Sequence, residues 1–403
     1  MKILVVCQHY WPEPYPLPDV CEELVRRGHT VHVVTDIPNY PMGVIYCEYR
    51  HGQNRTQVHN GVQITRTFTI GRGCNPLLRI LNYYSYAISS TLYAKGLKEE
   101  YDVVFANQTS PIMMISAALA YAKKWKRRVI VYCMDLWPAC LAAGGVTEKS
   151  MIYKYFGHLS GRLYRGSDRI LITSQMFRGY LVEQHNVNND KISYIPQYAD
   201  DRFDVKPNAT SKNKNTIDLV FAGNIGAAQN ILTILEAANI LKNEETLFWH
   251  IIGDGSEFQN IKVATIERGL QKVIIHGRVS LDKMPVYYEM ADAMLVTLTS
   301  DRFISMTLPG KIQTYMAAGK PIIGSANGET AIVIKEANCG FCAKAEDAQG
   351  LADVVRNFIA CKNKEQLGTN ARKYYLDHFS KKKFMDKLEK ELLISAESAG
   401  GEK

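Results

Sequence analysis

The chain has no glycine where a dinucleotide-binding protein needs one. The loop after the first apolar stretch reads Cys7-Gln-His-Tyr-Trp-Pro-Glu-Pro-Tyr-Pro-Leu-Pro18. The backbone there cannot make the close glycine turn onto a pyrophosphate, so a dehydrogenase-type fingerprint is excluded. Asp-x-Asp, His-Glu-x-x-His and Gly-x-Ser-x-Gly are missing throughout. Metal-assisted diphosphate binding and a hydrolase nucleophile therefore lack support. Nine cysteines are too few, too scattered and odd in number for a disulfide framework, which points to a reducing compartment. Cys339 and Cys342 form a lone C-x-x-C with no second pair to complete a metal site. No run is long and apolar enough to span a bilayer. Pro111–Ala122 is too short, and 76–97 is diluted by Asn82, Ser85, Ser89 and Ser90, so it reads as an amphipathic helix. The opening Met1–Val6 reads as a strand and not as a signal peptide, so a cytoplasmic chain is expected.

An apolar fraction of 46% in 403 residues is ample for two packed cores. The net charge of +8 is unevenly placed. Residues 1–200 carry 22 Lys and Arg against 15 Asp and Glu, whereas residues 201–403 carry 26 against 25. The basic half suggests an anionic partner: lipid, a lipid diphosphate or nucleic acid all fit.

Strand and helix patterns alternate along both halves. Strands are expected at 3–6, 30–35, 62–67, 103–106, 129–133, 169–173 and 192–195, then at 217–222, 247–252, 273–276, 293–298 and 321–324. Near-continuous apolar strands between helices imply an α/β protein of two doubly wound parallel sheets facing a cleft. The domains are expected at 1–198 and 217–379, with a polar linker at 199–216 and a charged tail helical over 363–395.

In such sheets ligands gather beyond the carboxyl ends of the strands. Four stretches reach that rim in the second half: Gly223-Asn-Ile-Gly226, Gly253-Asp-Gly255, Gly277-Arg-Val279 and Leu308-Pro-Gly-Lys311. In the last, Pro309 suits the first helical position, and Gly319 with Pro321 ends the helix. Free N–H groups at Gly310, Lys311 and Ile312, together with the Lys311 charge, suit a phosphate. In the first half His9 and Asp135 reach the equivalent rim, where Asp135 could orient a hydroxyl and Trp137 could offer a sugar-stacking face.

Taken together, these motifs resemble family-four glycosyltransferases of GT-B type. The resemblance is strongest to the bacterial branch that builds capsule, O-antigen and exopolysaccharide units. It rests on Asp36-Ile-Pro-Asn-Tyr-Pro41 with Gly43, Asp135-Leu-Trp-Pro138, the two glycine loops, Leu308–Gln313 with Tyr315–Pro321, and Asn327-Gly-Glu329. It implies a retaining, metal-independent transfer without a cofactor, from a nucleotide diphosphate sugar, UDP-linked by preference, to a lipid-linked acceptor. A peripheral place on the anionic inner face of the cell membrane and no nucleic-acid partner are implied as well.

Carried over by residue, Leu308, Pro309, Gly310 and Lys311 would hold the diphosphate. Gly223, Asn224, Ile225 and Gly226 would close over it, beside Gly253. Arg278 and Val279 would flank the base. Asn39, Tyr40 and Trp137 would face the acceptor, with Lys311, Asp135 and His9 as the catalytic candidates. The charged tail helix near 380–397 would cross back to the first domain. Many members carry two glutamates seven residues apart, and Met306 and Thr314 occupy those places here, leaving Gln313 as a candidate for the ribose. That departure keeps two other readings open, a non-catalytic accessory subunit and a nucleotide-sugar epimerase.

Overall fold

The computed structural model describes residues 1–73, 75–203 and 215–400. Positions 204–214 of the expected linker lie outside the described residues. The chain forms two compact units. The first holds Met1–Thr173, Phe177–Ile195 and the chain from Met385 onward, and the second holds Ser174–Met176 and Pro196–Phe384.

The first unit is built on β1 (Lys2–Val6), β2 (Thr30–Thr35), β3 (Thr56–His59), β4 (Val62–Arg66), β5 (Val103–Gln108), β6 (Val129–Cys133), β7 (Arg169–Ile172) and β8 (Ile192–Tyr194), in the order β3-β4-β2-β1-β5-β6-β7-β8. The central strands are apolar on both faces because helices cover both. One strand corrects the all-parallel expectation: β3 pairs antiparallel with β4. Asn60 and Gly61 both adopt positive φ, so the chain reverses in two residues, and a two-residue turn can only deliver an antiparallel neighbour.

The second unit contains β9 (Ile217–Ala222), β10 (Leu247–Ile252), β11 (Val273–Gly277), β12 (Ala293–Thr297), β13 (Ile322–Ser325) and β14 (Gly340–Ala343), all parallel, in the order β11-β10-β9-β12-β13-β14. Alternate residues of β9 feed separate cores: Leu219 and Phe221 pack with Ile231 and Trp249, while Val220 and Ala222 pack with Ile312 and Tyr315. The short helices Arg302–Met306 and Glu329–Glu336 and the strand β14 were not expected from the sequence. Each is too short for its periodicity to stand out.

The tail is not one helix. Lys364–Tyr374 runs into a π-helical turn at Tyr375–Phe379, and a new helix begins at Lys381. From Met385 that helix belongs to the first unit. There Arg27 meets Asp386 at 2.9 Å and Glu389 at 2.7 Å, and Arg169 meets both oxygens of Glu391 at 2.9 Å. Its buried Leu388 and Leu392 give the contact its apolar part.

Candidate active site

In the second sheet the strand order reverses between β9 and β12, and ligand crevices open at such switch points. The loops after β9 and β10 meet there backbone to backbone. The Ile225 N–H donates to Asp254 O at 2.9 Å, and the Glu257 N–H donates to Ile225 O at 3.0 Å. A Cβ on Gly253 would lie 1.8 Å from Gly223 O, and one on Gly255 would lie 2.4 Å from Ile225 O. Glycine is therefore required by contact at both places. The Gly253 N–H also donates to Gly277 O at 2.9 Å, which carries exposed Arg278 into the same row of loops.

The helix Gly310–Ala317 follows β12 and brings in Lys311. Its anchor is Tyr315, whose hydroxyl donates to Ala222 O at 2.9 Å and accepts from the Ala222 N–H at 3.1 Å. Lys311 thereby crosses the sheet edge at Gly223, where a Cβ would stand 3.2 Å from Nζ. Its tip ends 4.0 Å above the Phe221 ring, a residue of the opposite core. Part of the stem is exposed, but Nζ is buried and has no hydrogen-bond partner among the described residues. Desolvation lowers its pKa to about 7. A buried, unpartnered ammonium is costly unless an anion completes it. Tyr315→Phe should leave both polar groups of Ala222 unpaired, so we expect a loss of about 1–3 kcal/mol in chemical denaturation.

In the first unit the switch point lies between β1 and β5. The loop after β1 folds inward. His9 Nδ1 lies 2.8 Å from Glu13 Oε2. The other Glu13 oxygen accepts from the N–H groups of Asn39 and Tyr40, both at 2.6 Å. Tyr15 stacks on the His9 ring at 5.0 Å. Burial and then the Glu13 charge push the Asp36 carboxyl well above its usual range. After β6, Asp135 Oδ2 accepts from Ser110 Oγ at 2.9 Å, and burial raises this carboxyl too.

Two family models match this chain. "Glyco_transf_4: Glycosyltransferase Family 4" covers residues 18–202, and "Glycosyl transferases group 1" covers 202–374. The chain is a glycosyltransferase built of these two domain types. Among curated relatives, the glycosyltransferase WbjE of Pseudomonas aeruginosa is 28% identical over 63% of this chain and 65% of its own length. WcaI of Escherichia coli strain K12, a colanic acid biosynthesis glycosyl transferase, is 24% identical over 82% of this chain and 84% of its own. Among solved structures, HepE of Anabaena in complex with UDP superposes with a TM-score of 0.70 at 14% identity, over 97% of this chain and 99% of that one. The architecture is GT-B.

Within this glycosyltransferase the structure gathers Gly223, Ile225, Gly253 and Lys311 at one rim, and Arg278 follows in the same row. Several expected roles need correction. Pro309 is the N-cap and not the first helical residue, and the Ile312 N–H is taken by Pro309 O at 2.9 Å. Among the described residues the Gly310 and Lys311 N–H groups have no partner, as the start of a helix leaves them. Gln313 is buried, and in the orientation that satisfies its amide it donates to Pro309 O and Gly310 O, so it does not face a ribose. Thr314 Oγ1 bonds Gly310 O at 3.0 Å. Asn224 Nδ2 turns to Gln229 at 3.3 Å, while Leu308 and the Ile225 side chain are core and Val279 packs against it.

Trp137 is 3% exposed, with Nε1 bound to Ser110 at 3.0 Å and its ring edge-on to Phe156, so it offers no face to a sugar. Its apolar bulk was better used in the core. Asn39 is fully buried and braces the loop: Nδ2 donates to Ile37 O at 2.7 Å and Oδ1 accepts the Arg72 N–H at 3.1 Å. Tyr40 stays half-buried beside His9, whose own ring is buried. Sequence reasoning missed Glu13 and Phe221, and quoted Asp36 and Tyr315 within motifs without giving either a role of its own. The only sequence signal for Glu13 was its spacing of four residues from His9.

Proposed function

We propose that this glycosyltransferase moves a sugar, with retention of configuration, from a UDP-linked donor to a lipid-diphosphate-linked saccharide in bacterial surface polysaccharide synthesis. One observation carries the donor side: the Lys311 ammonium is buried without a partner beside the glycine loops, next to two unbonded helix N–H groups. A diphosphate completes that arrangement. As the glycosidic bond breaks, negative charge grows on the diphosphate, and groups fixed around it favour the transition state over the bound substrate. The proposal assigns the diphosphate charge to Lys311 and the helix start, and to no metal. The name of WcaI and the UDP in the HepE crystal support the choice of process and nucleotide.

On the acceptor side, His9 held by Glu13, and Asp135, are the groups proposed to orient the attacking hydroxyl. No described helix is long and apolar enough to cross a membrane. The proposed membrane contact is instead peripheral. It rests on the basic first half and on the helix Pro76–Gly96, whose outer face exposes Leu77, Ile80, Leu81, Ile88 and Leu92.

UDP binding tests the donor side. The bound state needs the ammonium, whereas the empty protein holds Lys311 near pKa 7. Above about pH 7 binding must therefore take up a proton, and UDP affinity should fall by up to about tenfold per pH unit between pH 7 and 9. Calorimetry in buffers of different ionisation enthalpy should show that uptake. Affinity that stays flat over this range would remove Lys311 from the diphosphate.

A further inference from the structure

The first unit holds an open groove of about 590 Å³ that none of the roles above uses. Val44, Ile45, Phe68 and Leu78 form much of its apolar lining. Val44 and Phe68 are each 56% exposed, which is costly for side chains of this kind unless something covers them. The groove is shaped by glycines. Gly43 and Gly73 have positive φ, and the Gly73 N–H donates to Gly43 O at 2.8 Å. A Cβ on Gly43 would lie 2.7 Å from Gly73 O, and one on Gly73 would lie 2.4 Å from Leu78 Cδ1. The two loops close on each other without side chains, and the space beside them stays open.

One edge of the groove is cationic. Arg50 and Arg55 supply its charge, and His51 lies beside them. Arg50 Nε donates to Ile45 O at 3.1 Å and Arg55 Nη1 to Arg66 O at 3.3 Å. Neither arginine has a carboxylate partner among the described residues. On another side the apolar lining passes through Leu78 to the exposed Leu77, Ile80 and Leu81 of the long helix. An apolar trough with cations on one edge and a path to an apolar outer face matches a hydrocarbon chain that ends in a phosphate.

We propose that this groove binds the hydrocarbon chain of the lipid-linked acceptor near its phosphate, with Arg50, His51 and Arg55 around the phosphate group. The inference rests on the lipid-linked acceptor proposed above and gives that acceptor a site. It also makes chain length a determinant of specificity, because a short soluble acceptor forgoes the apolar contact.

The test uses the full chain and a farnesyl phosphate that carries a diazirine at its chain end. After irradiation, peptide mapping should place the label within 37–55 or 68–78, and unmodified farnesyl phosphate should compete it away. The farnesol analogue should label several-fold less. Val44→Trp fills the trough from an exposed position and should cut labelling about tenfold. Joint Arg50→Ala and Arg55→Ala should bring the phosphate probe down to the alcohol's level. Label unchanged by Val44→Trp, or confined to Met151–Tyr155 as general bilayer contact would give, overturns the inference. A second readout separates it from the acceptor reading. If transfer to a long-chain lipid diphosphate persists and Val44→Trp leaves its KM unchanged, the groove fails and the acceptor stands. If labelling behaves as expected but no lipid diphosphate accepts sugar, the acceptor fails and the groove stands.

Discussion

Lys311→Met should lower kcat/KM by about ten- to a hundredfold while making the empty protein more stable. Both halves follow from the same placement. The Lys311 nitrogen is buried and unpartnered, resting over Phe221, and its pKa is lowered to about 7 by desolvation. A charge-assisted hydrogen bond contributes roughly 1.5–3 kcal/mol, and that difference in a barrier is about one to two orders of magnitude in rate. Methionine keeps a similar apolar length, so the stem still packs while the costly ammonium is gone.

The stability half has a pH signature. The folded pKa of about 7 lies below the unfolded value of about 10.4. The unfolded chain therefore binds more protons between these values, and wild-type stability should rise with pH from about 7 to about 10. Below 7 the cost of the buried charge is present in full. The variant should lack this rise, so its advantage in melting temperature should be largest near pH 6 and shrink toward pH 10. A variant less stable than wild type at pH 6 would show that the ammonium has a partner in the empty protein. Normal turnover in a folded Lys311→Met would show that the diphosphate binds elsewhere.

Removing the outer stripe of the helix Pro76–Gly96 should weaken vesicle binding by about a hundredfold or more. This helix is polar inside and apolar outside. Inward, Asn82 Nδ2 donates to Ile70 O at 2.7 Å, Tyr86 OH to Cys7 O at 2.6 Å and Ser89 Oγ to Phe68 O at 2.6 Å. Outward, Leu77, Ile88 and Leu92 are 66%, 58% and 63% exposed. Met151, Ile152 and Tyr155 expose a second apolar turn at the start of the helix Met151–Gly166. Arg79, Lys95, Lys154 and Arg162 on these two helices are exposed as well.

Leu77, Ile80, Ile88 and Leu92 changed together to serine would give up on the order of 1 kcal/mol each on insertion. The partition coefficient onto anionic vesicles should fall by about a hundredfold or more. The fold should survive, because these side chains contribute little to the core. High salt should weaken wild-type binding through the cationic part alone. Undiminished flotation of the quadruple variant would assign the membrane contact to another surface.

Much of this was legible from residue patterns. Residues 219–222 of β9 are apolar on both faces, and that alone requires helices on either side. Gly223 and Gly253 directly follow apolar strands in the sequence, so a rim of glycine loops could be read before any geometry was known. Other residues were misread because type does not fix direction. Trp137 and Gln313 sit in the right loop and the right helix, and both point inward. Burying a large ring with its N–H satisfied by Ser110 outweighs displaying it, and Gln313 serves the carbonyls of its own helix start.

The sequence determined the α/β class and the glycine loops that follow β9, β10 and β11, because hydrophobic period and glycine position are local properties. Tertiary structure alone decided that the Lys311 ammonium passes over Gly223 to rest unpaired on Phe221, that Glu13 clamps His9, and that the long helix turns its apolar side outward. Each of these depends on which distant segment arrives beside a residue. That is settled by packing and by the pairing of buried polar groups, and neither is written in the spacing of residues along the chain.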